Sequence, residues 1–159
     1  MQVTSVSVEE FDRLVEVWEA AVRATHHFLS EEDIAHFRPL VRNEFLQAVS
    51  LFAVRDARGV VTGFAGVANG KLEMLFVHPA HHGAGIGRCL VEHAIEAHEV
   101  VEVDVNEQNP QAVGFYERLG FSTYRRSPTD GMGKPFPILH MRLRAPRRQD
   151  DEERRGHEA

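Results

Sequence analysis

A chain of 159 residues suits one domain and is long enough to bury a sizeable core. Its 18 basic against 24 acidic side chains give a formal net charge of −6, which argues against a broad nucleic-acid-binding surface but allows a small anion held by backbone amides. With no basic-led apolar leader and no apolar run near the ~18 residues of a membrane span, the chain reads as a cytoplasmic protein with neither nucleic acid nor membrane among its partners.

Residues 2–8 read as an edge strand, and Ser7-Val8-Glu9-Glu10 is a Ser-x-x-Glu capping box that starts a helix. Phe11, Leu14, Trp18, Ala21 and Val22 recur at three and four residues, which gives that helix one apolar face as far as Thr25 and puts Trp18 in the core. The stretch Thr25-His26-His27-Phe28-Leu29 precedes a second cap at Ser30, so two helices meet at a bend carrying His26, His27 and Phe28. Such a bend either lines an acceptor site or is fastened by Phe28 and Leu29 with its histidines in water. Residues 34–49 continue as helix, limited or kinked by Pro39.

Residues 51–55 and 60–67 read as strands around the turn Asp56-Ala57-Arg58-Gly59, and Gly70 turns the chain again into the apolar run at 72–77. Three consecutive strands of this kind form an antiparallel meander. Gly83, Gly85 and Gly87 follow the run, and from Ile86 the apolar positions fall at helical spacing, so the strand passes into a helix through a glycine-rich turn. Glycines there free the backbone and remove Cβ atoms, letting the first unpaired N–H groups of the helix converge on a phosphate. A pyrophosphate suits the site. The nucleoside-triphosphate loop does not fit, since no Gly-Lys-Ser/Thr is present, and the spacing is not that of the dinucleotide fingerprint. Cys89, the one cysteine, sits among the apolar positions of this helix and reads as a buried thiol.

Residues 100–105 alternate Val101, Val103 and Val105 with Glu102 and Asp104, a half-buried strand parallel to its predecessor across a helical crossover. Asn109-Pro110 is a helix start and Gly120 the matching stop; between them Ala112, Phe115, Tyr116 and Leu119 sit at helical spacing, so Tyr116 by itself reads as one more core aromatic. Strands at 121–126 and 138–144 flank a loop at 127–137, whose glycines and prolines fix an unusual path and whose length marks it as functional. Residues 145–159, rich in arginine and acid, read as a disordered tail after a domain at 1–144.

Two stretches together resemble the GNAT N-acetyltransferases. His82-Gly83-Ala84-Gly85-Ile86-Gly87 follows that family's Gln/Arg-x-x-Gly-x-Gly/Ala loop except at its first position, and Asn109, Ala112, Phe115-Tyr116 and Gly120-Phe121 match its second motif in order and spacing. Val105-Asn106-Glu107-Gln108-Asn109 and Gly133-Lys134-Pro135 are similar to the small bacterial members. The resemblance implies an α/β fold, a mixed, mostly antiparallel splayed sheet of about seven strands flanked by about four helices. It also implies acetyl-CoA as co-substrate, an amine as acceptor (a protein lysine or a small amine), no metal, and a homodimer as the default assembly.

Carried over residue by residue, the resemblance makes His82, Gly83, Ala84, Gly85, Ile86, Gly87 and Arg88 the pyrophosphate cradle. Leu75, Phe76 and Val77 become the strand edge that pairs with the pantetheine arm and polarises the thioester carbonyl, and Asn109 holds the arm from the other side. A lysine amine, with a pKa near ~10.4, must lose a proton before it attacks, and Glu73 is the carboxylate placed to take it, with His26, His27 and His78 as competitors. Tyr116 protonates the departing sulfur, and Asn106 positions acceptor or water. A non-catalytic acyl-CoA sensor would need the loop but neither Tyr116 nor a base. Metal binding by His78, His81 and His82 is the weakest reading, since these neighbours have no second ligand pair.

Overall fold

The computed structural model describes residues 1–144; the tail expected at 145–159 lies outside the described residues. The first strand, β1, spans only Thr4–Ser5 and not 2–8. Its last carbonyl is diverted, since Ser5 O accepts from the Arg55 guanidinium at 2.8 Å, and the chain then turns through a 3-10 turn, Val8–Glu10, into helix α1 (Phe11–Thr25). Phe11, Leu14, Val17, Trp18, Ala21 and Val22 are its buried face, as the spacing requires.

Ser30 caps helix α2 (Glu31–Leu40) reciprocally: its Oγ accepts from the Asp33 amide and Asp33 Oδ2 accepts from the Ser30 amide, both at 3.0 Å. Such a box is worth about 1 kcal/mol. Pro39, with no N–H to give, sits in the last turn, and the helical path then widens into a π turn, Val41–Phe45, and a 3-10 turn, Leu46–Ala48.

Strands β2 (Ser50–Arg55) and β3 (Val61–Ala68) close around Asp56, whose Oδ1 accepts from the Arg58 and Val60 amides at 2.9 and 3.0 Å. Strand β4 (Lys71–Val77) leads to helix α3 (Ile86–His98), and β5 (Glu102–Asn106) to α4 (Pro110–Arg118). β6 (Phe121–Ser127) and β7 (Ile138–Leu143) end the described fold. Two further details differ from the sequence reading. Val101 is 50% exposed because β5 begins at Glu102, two residues later than read, and Val100 takes the buried place. Cys89 is only half-buried, its Sγ 3.9 Å from Met1 O, because it lies at the edge of the α3 apolar stripe.

The seven strands form one sheet in the order β1-β2-β3-β4-β5-β7-β6, antiparallel throughout except between β4 and β5. That is the α/β, mixed, mostly antiparallel architecture with four helices that the resemblance implies. Leu90, Val91, Val103, Tyr116 and Met141 belong to the core under α3 and α4, while Leu14, Val17, Trp18, Phe64 and Met74 belong to the core under α1 and α2.

Candidate active site

The site begins with an irregularity in β4. Gly66 pairs with Met74 and Val67 with Leu72, so Glu73 has no partner on β3 and forms a β-bulge. Leu72, Leu75 and Val77 therefore pack on the α3 side and Met74 and Phe76 on the α1 side, while Glu73 is exposed. On its other edge β4 meets β5 at two rungs only, Lys71 with Glu102 and Leu72 with Val103. Beyond Leu72 the strands separate, and the fork opens a cleft of about 750 Å³ between β4, the α3 N-terminus, the end of β5 and α4.

One end of the cleft is built for an anion. The first intrahelical bond of α3 runs from the Cys89 amide to Gly85 O at 3.0 Å, which leaves the Ile86, Gly87 and Arg88 amides without helical partners. Gly83 and Gly85 sit at φ +82° and +80°, and a Cβ at either would meet no atom within 4 Å. Their glycine is needed for the left-handed backbone, and the space in front of them is free. Converging amides at the positive end of a 13-residue helix fit a pyrophosphate. His82, Gly83 and the run from Gly85 to Arg88 line the cleft, as do Leu75, Phe76 and Val77; Ala84 is exposed and does not.

The opposite wall is α4. Asn109 is 8% exposed and its Oδ1 accepts from the Ala112 amide at 3.2 Å, so it caps the helix with one atom, while its side-chain amide nitrogen has no hydrogen-bond partner among the described residues. Tyr116 is 7% exposed, packed edge-on against Phe115 and Phe121, and lines the cleft. Burial pushes its hydroxyl pKa well above the usual value, so the phenol stays protonated. Tyr116 is core aromatic and cleft wall at once. Arg118 and Gln111 also line the cleft; sequence reasoning passed over both, though a basic residue on the outer turn of a helix facing an anion site was a signal.

A second cavity of about 590 Å³ lies across the fork. The α1–α2 bend and the β6–β7 loop meet over it, with the Phe28 and Phe136 ring centroids 5.4 Å apart and His26 5.3 Å from Phe28. Asp130 shapes the loop by accepting from the Met132 and Lys134 amides, both at 2.9 Å, and Lys134 reaches Asp33 on α2 at 3.5 Å. Thr25 Oγ1 lies 2.8 Å from His26 Nδ1. Burial, with a smaller contribution from His27, lowers the His26 pKa to about 4. His27 is exposed and lines neither cavity, and nor does His78, whose Nδ1 accepts from the Ala80 amide at 3.1 Å. Phe37 and Phe45, which the sequence analysis did not single out, line this chamber as well.

The two cavities share His26, Glu73, Met74, Phe76 and Asn106. A phosphate-bearing ligand in the cleft and a second molecule in the chamber would thus meet beside Glu73, whose carboxylate makes no hydrogen bond or ion pair among the described residues. Among the described residues no cluster of His, Cys, Asp or Glu is arranged to hold a metal ion, and no helix is long and apolar enough to cross a membrane.

Residues 21–144 match the family model for the acetyltransferase (GNAT) domain. Over 133 residues the chain is 41% identical to the peptidyl-lysine N-acetyltransferase YjaB of Escherichia coli (strain K12), a match covering 84% of this chain and 90% of that protein. The fold superposes on the solution structure of apo-form YjaB from Escherichia coli with a TM-score of 0.83 at 37% identity, covering 91% of this chain and 98% of the other. The crystal structure of the PaiA N-acetyltransferase from Thermoplasma acidophilum in complex with coenzyme A shares the fold with a TM-score of 0.69 at 21% identity, covering 90% and 98%.

Proposed function

The chain belongs to the GNAT acetyltransferase family and is an acetyl-CoA-dependent N-acetyltransferase, and we propose that its acceptor is the ε-amine of a protein lysine, acetylated by direct attack in a ternary complex. One observation carries the reading of the site: cofactor cleft and acceptor chamber meet at the β4–β5 fork. The name of YjaB, a peptidyl-lysine N-acetyltransferase, supports the choice of acceptor. Direct attack agrees with a cleft whose lining holds no cysteine, Cys89 lying elsewhere. A sensor would need the cleft but not a chamber joined to it. With acetyl-CoA and protein lysines as reactants, the enzyme works in the cytoplasm.

Acetyl-CoA brings an acyl group activated as a thioester. In this reading the amides of 86–88 and the turn from His82 to Gly85 hold the pyrophosphate, and the Asn109 side-chain amide and the free edge of β4 hold the arm. A backbone N–H within Leu75, Phe76 or Val77 faces the carbonyl oxygen that gains charge during attack, the stabilisation that removal of a single donor typically shows to be worth ~3–4 kcal/mol. Glu73, at the meeting point, takes the proton of the incoming ammonium directly or through water, and Asn106 orients acceptor or water. His26 and Phe28 line the acceptor path, and His26 is uncharged near neutral pH, so it does not repel an ammonium. Tyr116 delivers its phenolic proton to the departing sulfur. Mass spectrometry of a lysine peptide incubated with enzyme and acetyl-CoA tests the acceptor: an acetylated ε-amine is expected, and thiol release without peptide acetylation would refute a lysine acceptor.

A further inference from the structure

The chamber is more than a lysine needs. Its volume of about 590 Å³ lies within the ~300–1,000 Å³ typical of small-molecule sites, whereas a lysine inserts an unbranched four-carbon stem. Its walls are Trp18, Phe28, Phe37, Phe45, Phe136 and Ile138, contributed by α1, the bend, the α2 region and the β6–β7 hairpin. Aromatic walls reward a ring beyond the area it buries.

The polar groups sit at two places only. Glu73, Asn106 and the His26 ring are at the fork end, where the reacting amine must be, and Asp130 is at the loop, its Oδ1 engaged by the Met132 and Lys134 amides. A polyamine would bring further ammonium groups against aromatic walls, where Asp130, one of its oxygens already engaged by two backbone amides, is the one carboxylate lining the chamber away from the fork, and burying an unpaired charge is costly. A single ammonium on an apolar body has Glu73 for its head and rings for the rest.

We infer that this enzyme also acetylates small primary amines with a bulky aromatic body, of the arylalkylamine class; the inference rests on the acetyl-transfer reading and deepens its acceptor side. The nitrogen bonds to the acetyl carbonyl carbon as the C–S bond breaks. Of the two protons the ammonium gives up, one ends on the thiol sulfur and one in solvent.

Thiol release from acetyl-CoA, measured with 2-phenylethylamine, n-butylamine, spermidine and a lysine peptide, tests this. A ring filling the chamber should raise kcat/KM for 2-phenylethylamine about tenfold or more over n-butylamine. The Phe136→Ser enzyme should raise the KM for 2-phenylethylamine by about tenfold, with acetyl-CoA still raising its melting temperature as a check that it is folded. Equal kcat/KM for the two amines, or spermidine as the better substrate, overturns the inference and leaves the lysine reading standing if the peptide is acetylated. Release with no amine at all overturns both.

Discussion

Lys71 and Asp104 clasp each other across the last rungs of β4 and β5, ammonium nitrogen to carboxylate oxygen 2.5 Å apart. The other oxygen of Asp104 lies 2.7 Å from His140 Nδ1, and Nε2 of that ring lies 2.7 Å from Ser127 Oγ. One polar chain therefore ties β4, β5, β7 and β6 where the fork opens. Burial works against the charge of Lys71, yet the hydrogen bond it donates to Asp104 leaves its pKa raised. Asp104→Asn should loosen the fork. Because both partners are partly solvated, the loss should be about 1 kcal/mol, or a melting temperature ~2–4 °C lower, with acetyl-CoA affinity weakened several-fold in calorimetry. Unchanged melting and affinity would show that the clasp does not set the fork.

Gly85 and Gly87 differ in why they are glycine. Gly85 needs its φ of +80°, whereas a Cβ on Gly87 would make ordinary contacts, 3.5 Å from Phe115 and 3.8 Å from Val77. Gly85→Val should fold with a backbone strain of ~1–2 kcal/mol and bind acetyl-CoA at least about tenfold more weakly, ~1.4 kcal/mol. Gly87→Ala should fold without that strain, and any loss of affinity there measures how closely the ligand approaches α3. Wild-type affinity in a folded Gly85→Val protein would remove the loop from the site.

Much of this was legible locally. The Asn109 cap, the Gly85 turn, the α1 face and the Asp56 hairpin depend on residues within a few positions of one another, and local propensity and spacing carry that information. Glu73 was identifiable as a carboxylate on the right strand, but its bulge depends on register against Gly66 and Val67, and register is a tertiary property. The apolar chamber was hidden for the same reason. Phe45 reaches it from the π turn that follows Pro39, Phe37 from α2 before that proline, and Phe136 joins them by a loop that folds back over the α1–α2 bend. Val101 misled because an alternating pattern fixes the period of a strand but not where it begins.

Tyr116 should act in chemistry. Its phenol is kept protonated by burial, a state that suits a proton donor to sulfur. Tyr116→Phe retains the ring and its packing, so the melting temperature and acetyl-CoA affinity should stay near wild type while kcat falls by roughly 10². Turnover within a few-fold of wild type would make Tyr116 a core aromatic, with the proton coming from water.

Acid should weaken the fold partly through His26. Its folded pKa, about 4, lies below the ordinary 6.5, so above pH 6.5 both states are neutral and the group contributes nothing. As pH falls from 6.5 towards 4 the unfolded chain binds a proton that the folded protein refuses, and stability declines; below about 4 this slope ends. His78 and His93 are shifted in the same direction, first by burial, so they share the slope. Melting curves between pH 7 and pH 4 should therefore be flatter for His26→Gln than for wild type. Parallel curves would show that His26 is protonated equally easily in both states.

The claim on which the account rests is that the cleft at the β4–β5 fork holds acetyl-CoA, and thermal unfolding with and without the ligand tests it most directly. At about 100 times Kd the ligand should stabilise the protein by ~2.7 kcal/mol, a rise of roughly 5–10 °C for a chain of this size, and Gly85→Val should show a smaller rise at the same concentration. A melting temperature unmoved by millimolar acetyl-CoA would contradict the account.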